Sequence, residues 1–441
     1  MGVGIRPGIP VLLQEFPMRE EILIAAVMIA ISVIGSVWKK NDRKWSVVFL
    51  LVAAVAGSLV AGMGIRFREI VEGPFGFLDS SLNVVCASVF VWLLYVGGCF
   101  DSLFAPITKI KNRVVKSFAV LLFIALPAAL TGFTMASVLT TGKIVGDNLK
   151  ANGMDGKKAT TVVVGGSFIG MIMPPNCIPA IIAANGAGSV LPTPYIGFFL
   201  PLLLTAVPSY IIFTLMNMKT LSAVTETNRE EKSTFSIIIF AAVCILLLVE
   251  GLLSSFVYIG GGTLIFTIAS ILLIVANKGF GSARKCLDTI CDGMENAVWP
   301  VAFIFALGSF IEVSSMTGVR GLYSLWILPY EVPNVMLVLI LASLVIGTFL
   351  GEPIPAFLIT YAVFPIGWLA NTVVVTGCAA GLACVSVLDF RGGLIPRVSK
   401  ALGTDCKYGD IIKQIIPILV ATLCMGLVWV YLGDNLSMLI L

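Results

Sequence analysis

Apolar positions along this chain come in long unbroken runs, not in the one-sided stripes or alternations of water-facing elements. Residues 22–38, 47–62, 82–96 and 237–249 carry almost no charge. About 20 mostly apolar residues take a helix across a hydrocarbon core of about 30 Å. Runs of this kind recur to the end of the chain. They predict an all-α integral membrane protein with roughly ten to twelve crossings or half-crossings.

The longest polar interruption in the middle, residues 218–234, reads MKTLSAVTETNREEKST and is expected to be a solvated cytoplasmic connector. It divides the chain into a first unit, residues 1–217, and a second, residues 235–441. Each unit opens with simple apolar spans, residues 21–38, 45–64 and 78–100 in one and 235–253, 257–276 and 297–314 in the other. Each continues with a long apolar stretch broken by Gly, Pro, Ser and Thr, then a Gly-rich broken span, and closes on a clean span, residues 196–216 or 411–432. Gly132 precedes Thr141, and Gly351 precedes Thr360, by the same interval. Matching interruptions in two halves point to a repeat transporter whose site lies at the breaks. The expected plan is two inverted repeats, each with a re-entrant hairpin (about 117–147 and 334–369) and a discontinuous helix (about 159–190 and 372–402).

Charge placement supports this plan. With hairpins entering from opposite sides, the runs at 39–44 and 109–116, Lys143, Lys150, Lys157, Lys158, the connector, residues 278–285 and the cations from Arg397 to Lys413 all fall inside. Of 28 Lys and Arg, this leaves Arg6, Arg19, Arg66, Arg68 and Arg320 outside and Arg391 in a break. The positive-inside rule is met throughout. Composition agrees: 58% of the chain is hydrophobic and 12% is charged, against about 25% charged in soluble domains. The net charge of +4 therefore belongs to topology and does not signal nucleic acid. The absence of histidine excludes imidazole acid–base chemistry and His-ligated metals. Cysteines such as Cys86, Cys244 and Cys424 sit in apolar runs and behave as small hydrophobes. Residues 1–21 lack the basic head and apolar core of a cleaved leader. No GxxxxGK[ST] loop is present, so energy would come from an ion gradient or a partner.

Candidate chemistry lies at the interruptions. Residues 167–184 read SFIGMIMPPNCIPAIIAA. Pro174 and Pro175 remove two donors and cannot continue a helix. Backbone freed in this way at membrane depth must be satisfied by protein, water or an ion. Asn176 adds an amide there. The first hairpin tip, LTGFTMASVLTT, offers Thr131, Gly132, Thr134 and Ser137, oxygen donors suited to a hard cation but equally to helix–helix contacts. The second tip carries Gly347, Gly351 and Glu352, an ionisable group in an apolar hairpin and so a functional candidate. The second break, VSVLDFRGGLIP, holds Ser386, Asp389, Arg391 and Gly392. Asp389 and Arg391 either pair with each other or leave Arg391 to bind an anion. Glu250 and Glu312 near span ends are expected to be interfacial.

Residues 131–182, TGFTMASVLTTGKIVGDNLKANGMDGKKATTVVVGGSFIGMIMPPNCIPAII, resemble the first signature region of the large membrane subunit of tripartite ATP-independent periplasmic (TRAP) transporters, of the ion-transporter superfamily. Residues 347–370, GTFLGEPIPAFLITYAVFPIGWLA, resemble that family's second hairpin, and the layout matches from about residue 21 to 432. The resemblance implies a sodium-coupled importer of an organic acid in the bacterial inner membrane, working by an elevator motion. It implies a periplasmic substrate-binding protein and a small four-helix membrane subunit on separate chains. Sodium ligands would come from Thr131, Gly132, Ser137, Gly165, Ser167, Pro174 and Asn176, and from Gly347, Gly351, Glu352, Ser386 and Gly392. The solute would meet Thr134, Asn176, Glu352, Asp389 and Arg391. Two departures stand out: the family's second Pro-Pro is replaced by Asp389-Phe390-Arg391, and its acidic residue in the first hairpin is missing from residues 132–137. The alternatives are a stand-alone secondary carrier and, from another class, an intramembrane enzyme. The enzyme is disfavoured because no His, catalytic Ser motif or aspartyl pair stands at membrane depth. No cofactor beyond the coupling ion is expected.

Overall fold

The computed structural model describes residues 19–38, 43–186, 199–225, 234–252, 261–327, 329–366 and 372–440. The expected ends of the first broken helix (187–190) and of the second hairpin (367–369), with connector residues 226–233, lie outside them. Among the described residues eight helices are long and apolar enough to cross a membrane. Large side chains such as Leu23, Val275 and Val338 are exposed on their outer faces. Continuous exposed apolar surface of this extent belongs against lipid.

The first unit runs α1 (Arg19–Trp38), α2 (Arg43–Val60), α3 (Phe67–Phe75), α4 (Leu78–Val96) and α5 (Cys99–Thr108). It continues with α6 (Arg113–Thr131), α7 (Thr134–Leu139), α8 (Thr141–Ala151), α9 (Gly156–Ile172), α10 (Ile178–Gly186) and α11 (Phe199–Met216). After the short α12 (Met218–Leu221) come α13 (Thr234–Leu252), α14 (Gly261–Ala276), α15 (Ala283–Met316) and α16 (Val319–Ile327). Then follow α17 (Val332–Leu350), α18 (Pro353–Ile366), α19 (Thr372–Leu388), α20 (Leu394–Leu402) and α21 (Tyr408–Ile440).

Helix α6 starts where the Asn112 side-chain Oδ1 accepts the Val114 and Val115 N–H groups, and it ends at Gly132 in the left-handed region (φ +81°). Helix α17 ends at Gly351, also at positive φ (+80°) but with an extended ψ of −167°. Only glycine turns there without a Cβ penalty, and in each case the chain starts a new helix within two residues. Two other pairs of glycines at positive φ, Gly62 with Gly281 and Gly98 with Gly318, stand nearly the same interval apart in sequence.

Helix α9 packs by giving up side chains. A Cβ at Gly165 would meet the Phe213 ring of α11 at 2.1 Å, and one at Gly170 would meet the Ala125 carbonyl of α6 at 2.2 Å. Backbones this close gain dispersion contacts that larger residues would forbid. Helices α3 and α4 cross α15 in a comparable manner. Gly73 lies on the Gly308 backbone, and the Ser88 hydroxyl donates to the Gly293 carbonyl at 2.7 Å.

Three expectations change. The connector is not solvated at its start: Leu221 and Val224 are buried. Lys116 donates to the Val224 carbonyl at 2.8 Å, and Asn148 exchanges two hydrogen bonds with Thr225. Its apolar residues and free carbonyls dock on α6 and α8. The return limb after Gly132 is broken at Thr140 (φ −113°, ψ −101°) into α7 and α8. The third span of the second unit is the 34-residue α15, longer than residues 297–314. Glu250, in the last turn of α13, is buried; its carboxylate accepts the Gly261 N–H at 2.9 Å, one of the unpaired donors at the start of α14.

Candidate functional site

The two glycine turns and the second break meet at one cavity of about 510 Å³. Gly132, Phe133, Thr134 and Met135 line it from the first turn, and Gly351, Glu352 and Pro353 from the second. Ser386, Asp389, Arg391, Gly392 and Arg397 come from the second broken helix. The opposite wall is built by Ser36 and Ser46 beside the loop joining α1 to α2, and by Glu295, Asn296, Trp299 and Phe303 of α15. The lining thus mixes two guanidinium groups with three carboxyls, an arrangement that can hold a small polar or ionic solute.

The residues nominated from sequence fall into two groups. Gly132, Thr134, Gly351, Glu352, Ser386, Asp389, Arg391 and Gly392 line the cavity. Thr131, Ser137, Gly165, Ser167, Pro174, Asn176 and Gly347 stand behind it in the packed interior. The Thr131 hydroxyl donates to the Pro127 carbonyl at 2.7 Å, and Ser137 Oγ accepts the Ala128 N–H at 2.8 Å. Both therefore repair the backbone of α6 around its internal proline. Gly165 and Gly347 are contact points for Phe213 and Val385. The Ser167 hydroxyl is fully buried and, among the described residues, has no hydrogen-bond partner.

Asn176 is the staple of the first break. Its N–H donates to the Ala129 carbonyl at 3.2 Å, and its side-chain amide donates to the Leu130 carbonyl. Its side-chain carbonyl accepts from the Asn83 amide at 2.8 Å. The break after Pro174-Pro175 is thereby tied to the end of α6 and to α4. Asp389 organises the second break differently. Its Oδ1 accepts the N–H groups of Arg391 at 2.9 Å and Gly392 at 3.2 Å. Asp389 thus holds the backbone of the turn that carries Arg391. The Arg391 guanidinium lies 5.1 Å over the Phe390 ring.

Asn83, Glu295 and Arg397 are outside the set that the sequence nominates. Asn83 had a signal, an amide within an otherwise apolar span. Arg397 reads as a cytoplasmic cation by charge placement, yet it lines the cavity and donates to the Gly393 carbonyl at 3.1 Å. Glu295 lies in a mixed segment at the lower half of α15, where nothing local marks it.

An all-helical membrane protein with broken helices around a cavity that carries several charged groups has the build of a transporter, and its fold is shared by solved structures. The chain is similar to the YdaH transporter of Alcanivorax borkumensis, with a TM-score of 0.60 at 13% identity over 89% of this chain and 98% of that one. It is also similar to MtrF of Neisseria gonorrhoeae, described with a class of antimetabolite efflux pumps, with a TM-score of 0.57 at 14% identity over 92% and 97%. At these identities the likeness concerns the fold alone. A comparison with curated proteins returns no match. Residues 22–430 match the model of the DctM component of tripartite ATP-independent periplasmic transporters, and the chain belongs to that family. It is therefore a multi-pass membrane component of a transporter, not an enzyme.

Proposed function

We propose that this chain imports a small organic acid, delivered by a periplasmic binding protein, in symport with Na⁺, and that a small four-helix membrane subunit completes the carrier. The observation that carries the reading is the cavity where both glycine turns and the second break converge, with Arg391 and Arg397, cations suited to a carboxylate, among its lining residues. Sodium would sit behind the turns, on backbone carbonyls freed at the breaks and on hydroxyls. The buried, unpartnered Ser167 hydroxyl favours a ligand in that region.

The units 1–217 and 235–441 are inverted repeats in this reading. Three pairs of glycines at positive φ support the correspondence. So does the α3–α4 crossing with α15. Residue 73 corresponds to 293 and residue 88 to 308, so the Gly73–Gly308 contact exchanges with the Ser88–Gly293 contact, as a two-fold axis requires. The pairs α6–α7 and α17–α18 are the re-entrant hairpins. With the discontinuous helices α9–α10 and α19–α20 they form the moving body, and α1–α4 with α13–α15 form the scaffold of an elevator. Ser36 and Ser46 flank the basic loop that charge places in the cytoplasm, so the cavity belongs to an inward-facing state.

The test is uptake of carboxylates into proteoliposomes under an imposed inward Na⁺ gradient, with and without the binding protein and small subunit. Uptake that needs both partners and Na⁺ is the expected result. Uptake by the chain alone would establish a stand-alone carrier, and sodium-independent uptake would sink the ion sites.

A further inference from the structure

Arg391 reaches the cavity from a turn flanked by aromatic rings. Phe390 stands edge-on to Phe349, with centroids 6.3 Å apart and planes at 80°. On its other side it meets Tyr408 at 6.4 Å and 70°. The Tyr408 hydroxyl donates to the Leu388 carbonyl at 2.8 Å, which fixes that ring against the end of α19. Phe349 belongs to the last turn of α17, two residues before Gly351. The three rings therefore bridge the second glycine turn, the second break and the start of α21. Edge-to-face geometry places the positive edge of one ring on the negative face of the next.

The Arg391 guanidinium rests 5.1 Å over the Phe390 ring, while Asp389 holds the Arg391 N–H. The backbone and the head group are thus oriented by separate contacts. A cation on an aromatic face keeps its charge and most of its donors while losing rotational freedom. We propose that Phe390, held between Phe349 and Tyr408, is a positioning residue that presents the Arg391 guanidinium to an anionic group of the solute. The aromatic set then acts as a determinant of selectivity for carboxylates. The inference rests on the reading of the cavity as the site of an organic acid. It goes further in naming the groups that set the arginine's pose and in tying that pose to the α17 turn.

The experiment measures the rise in melting temperature of the full purified chain with succinate, citrate and sialic acid, each against its neutral amide. The wild type is expected to respond to at least one acid and not to its amide. Phe390→Leu should raise the half-saturating concentration about three- to tenfold, as loss of a cation–π contact implies. Phe390→Trp should restore it to within about twofold, and Phe349→Leu should shift it in the same direction as Phe390→Leu. In an Arg391→Gln background, Phe390→Leu should have no further effect, because its action passes through the guanidinium. A Phe390→Leu response equal to wild type, or an equal loss with and without Arg391, overturns the proposal and leaves the cavity reading intact. A wild type blind to all three acids overturns the cavity reading on which the proposal rests.

Discussion

The Asn83–Asn176 pair offers the sharpest test of how the first break is held. Asn176 is 1% exposed and Asn83 7%, so water does not replace a lost partner at either end. Asn176→Ala orphans the Asn83 amide donor and the Leu130 carbonyl together. A buried unsatisfied group costs about 1–3 kcal/mol. Hydrogen bonds between membrane helices average about 0.6 kcal/mol and reach about 1.7, because the chain finds other partners in the bilayer. The break has few alternatives, so the upper end applies. Asn176→Ala should cost about 2 kcal/mol and Asn83→Ala about 1 kcal/mol. The double variant should cost about 2 kcal/mol, not the sum, because each single change has already removed the shared bond. The assay is the fraction of chain still soluble and monodisperse after heating in detergent, for the three variants in parallel. Strictly additive losses would show that the two amides do not interact, and an unaltered Asn176→Ala would remove the staple from the account.

Helix packing and turn geometry give further expectations. Gly165→Val should destabilise by about 1–3 kcal/mol through overpacking on Phe213. Adding Phe213→Ala should recover part of the loss, and a double variant worse than both singles would count against that contact. At the turns, Gly351→Ala meets the strain of a backbone conformation that is essentially glycine's alone, about 1–3 kcal/mol, with nothing within 3.4 Å of the new Cβ. Gly132→Ala adds crowding by the Asn176 carbonyl at 3.0 Å. Both variants should therefore lose heat stability, and a Gly132→Ala or Gly351→Ala as stable as wild type would reject the turn geometry.

Where the chain stops being helical was legible because Gly and Pro act locally. Gly132, Gly351 and Pro174-Pro175 end helices within a residue or two of where the sequence places them. What joins these points was not legible. The Asn83–Asn176 bond spans two apolar runs, and either amide alone reads only as a polar residue in a membrane. The break at Thr140 accompanies Ser137 turning its hydroxyl to the α6 backbone, a choice that period and composition do not reveal. The connector looked solvated by composition. Its docking depends on the alignment of Lys116, Asn148 and Asn152 with carbonyls far away in sequence. The small-residue run on α9 was visible, but a glycine facing Phe213 and one facing an ion look alike until the partner helix is in place.

The two breaks solve one problem in opposite ways, and this accounts for the missing second Pro-Pro. A helix that stops inside a membrane leaves N–H donors without acceptors at the start of the next segment. Pro174 and Pro175 remove two donors outright, and Asn176 anchors the rest. At residues 389–393 no proline is present, and Asp389 Oδ1 accepts two donors at 2.9 and 3.2 Å. Asp389 is only 7% exposed, so a substitute must bring its own acceptor. Asn supplies one oxygen in the same place and Ala supplies none. Asp389→Asn should therefore keep heat stability within about 0.5 kcal/mol of wild type, while Asp389→Ala should lose about 1–3 kcal/mol. If the fold needs only an acceptor, stability separates Asn from Ala. If the carboxylate charge also serves the cation or the solute, Asp389→Asn will be stable yet slow in Na⁺-driven uptake. Equal stability of the Asn and Ala variants would mean that the Asp389 turn does not hold the break, and that another feature replaces the missing prolines.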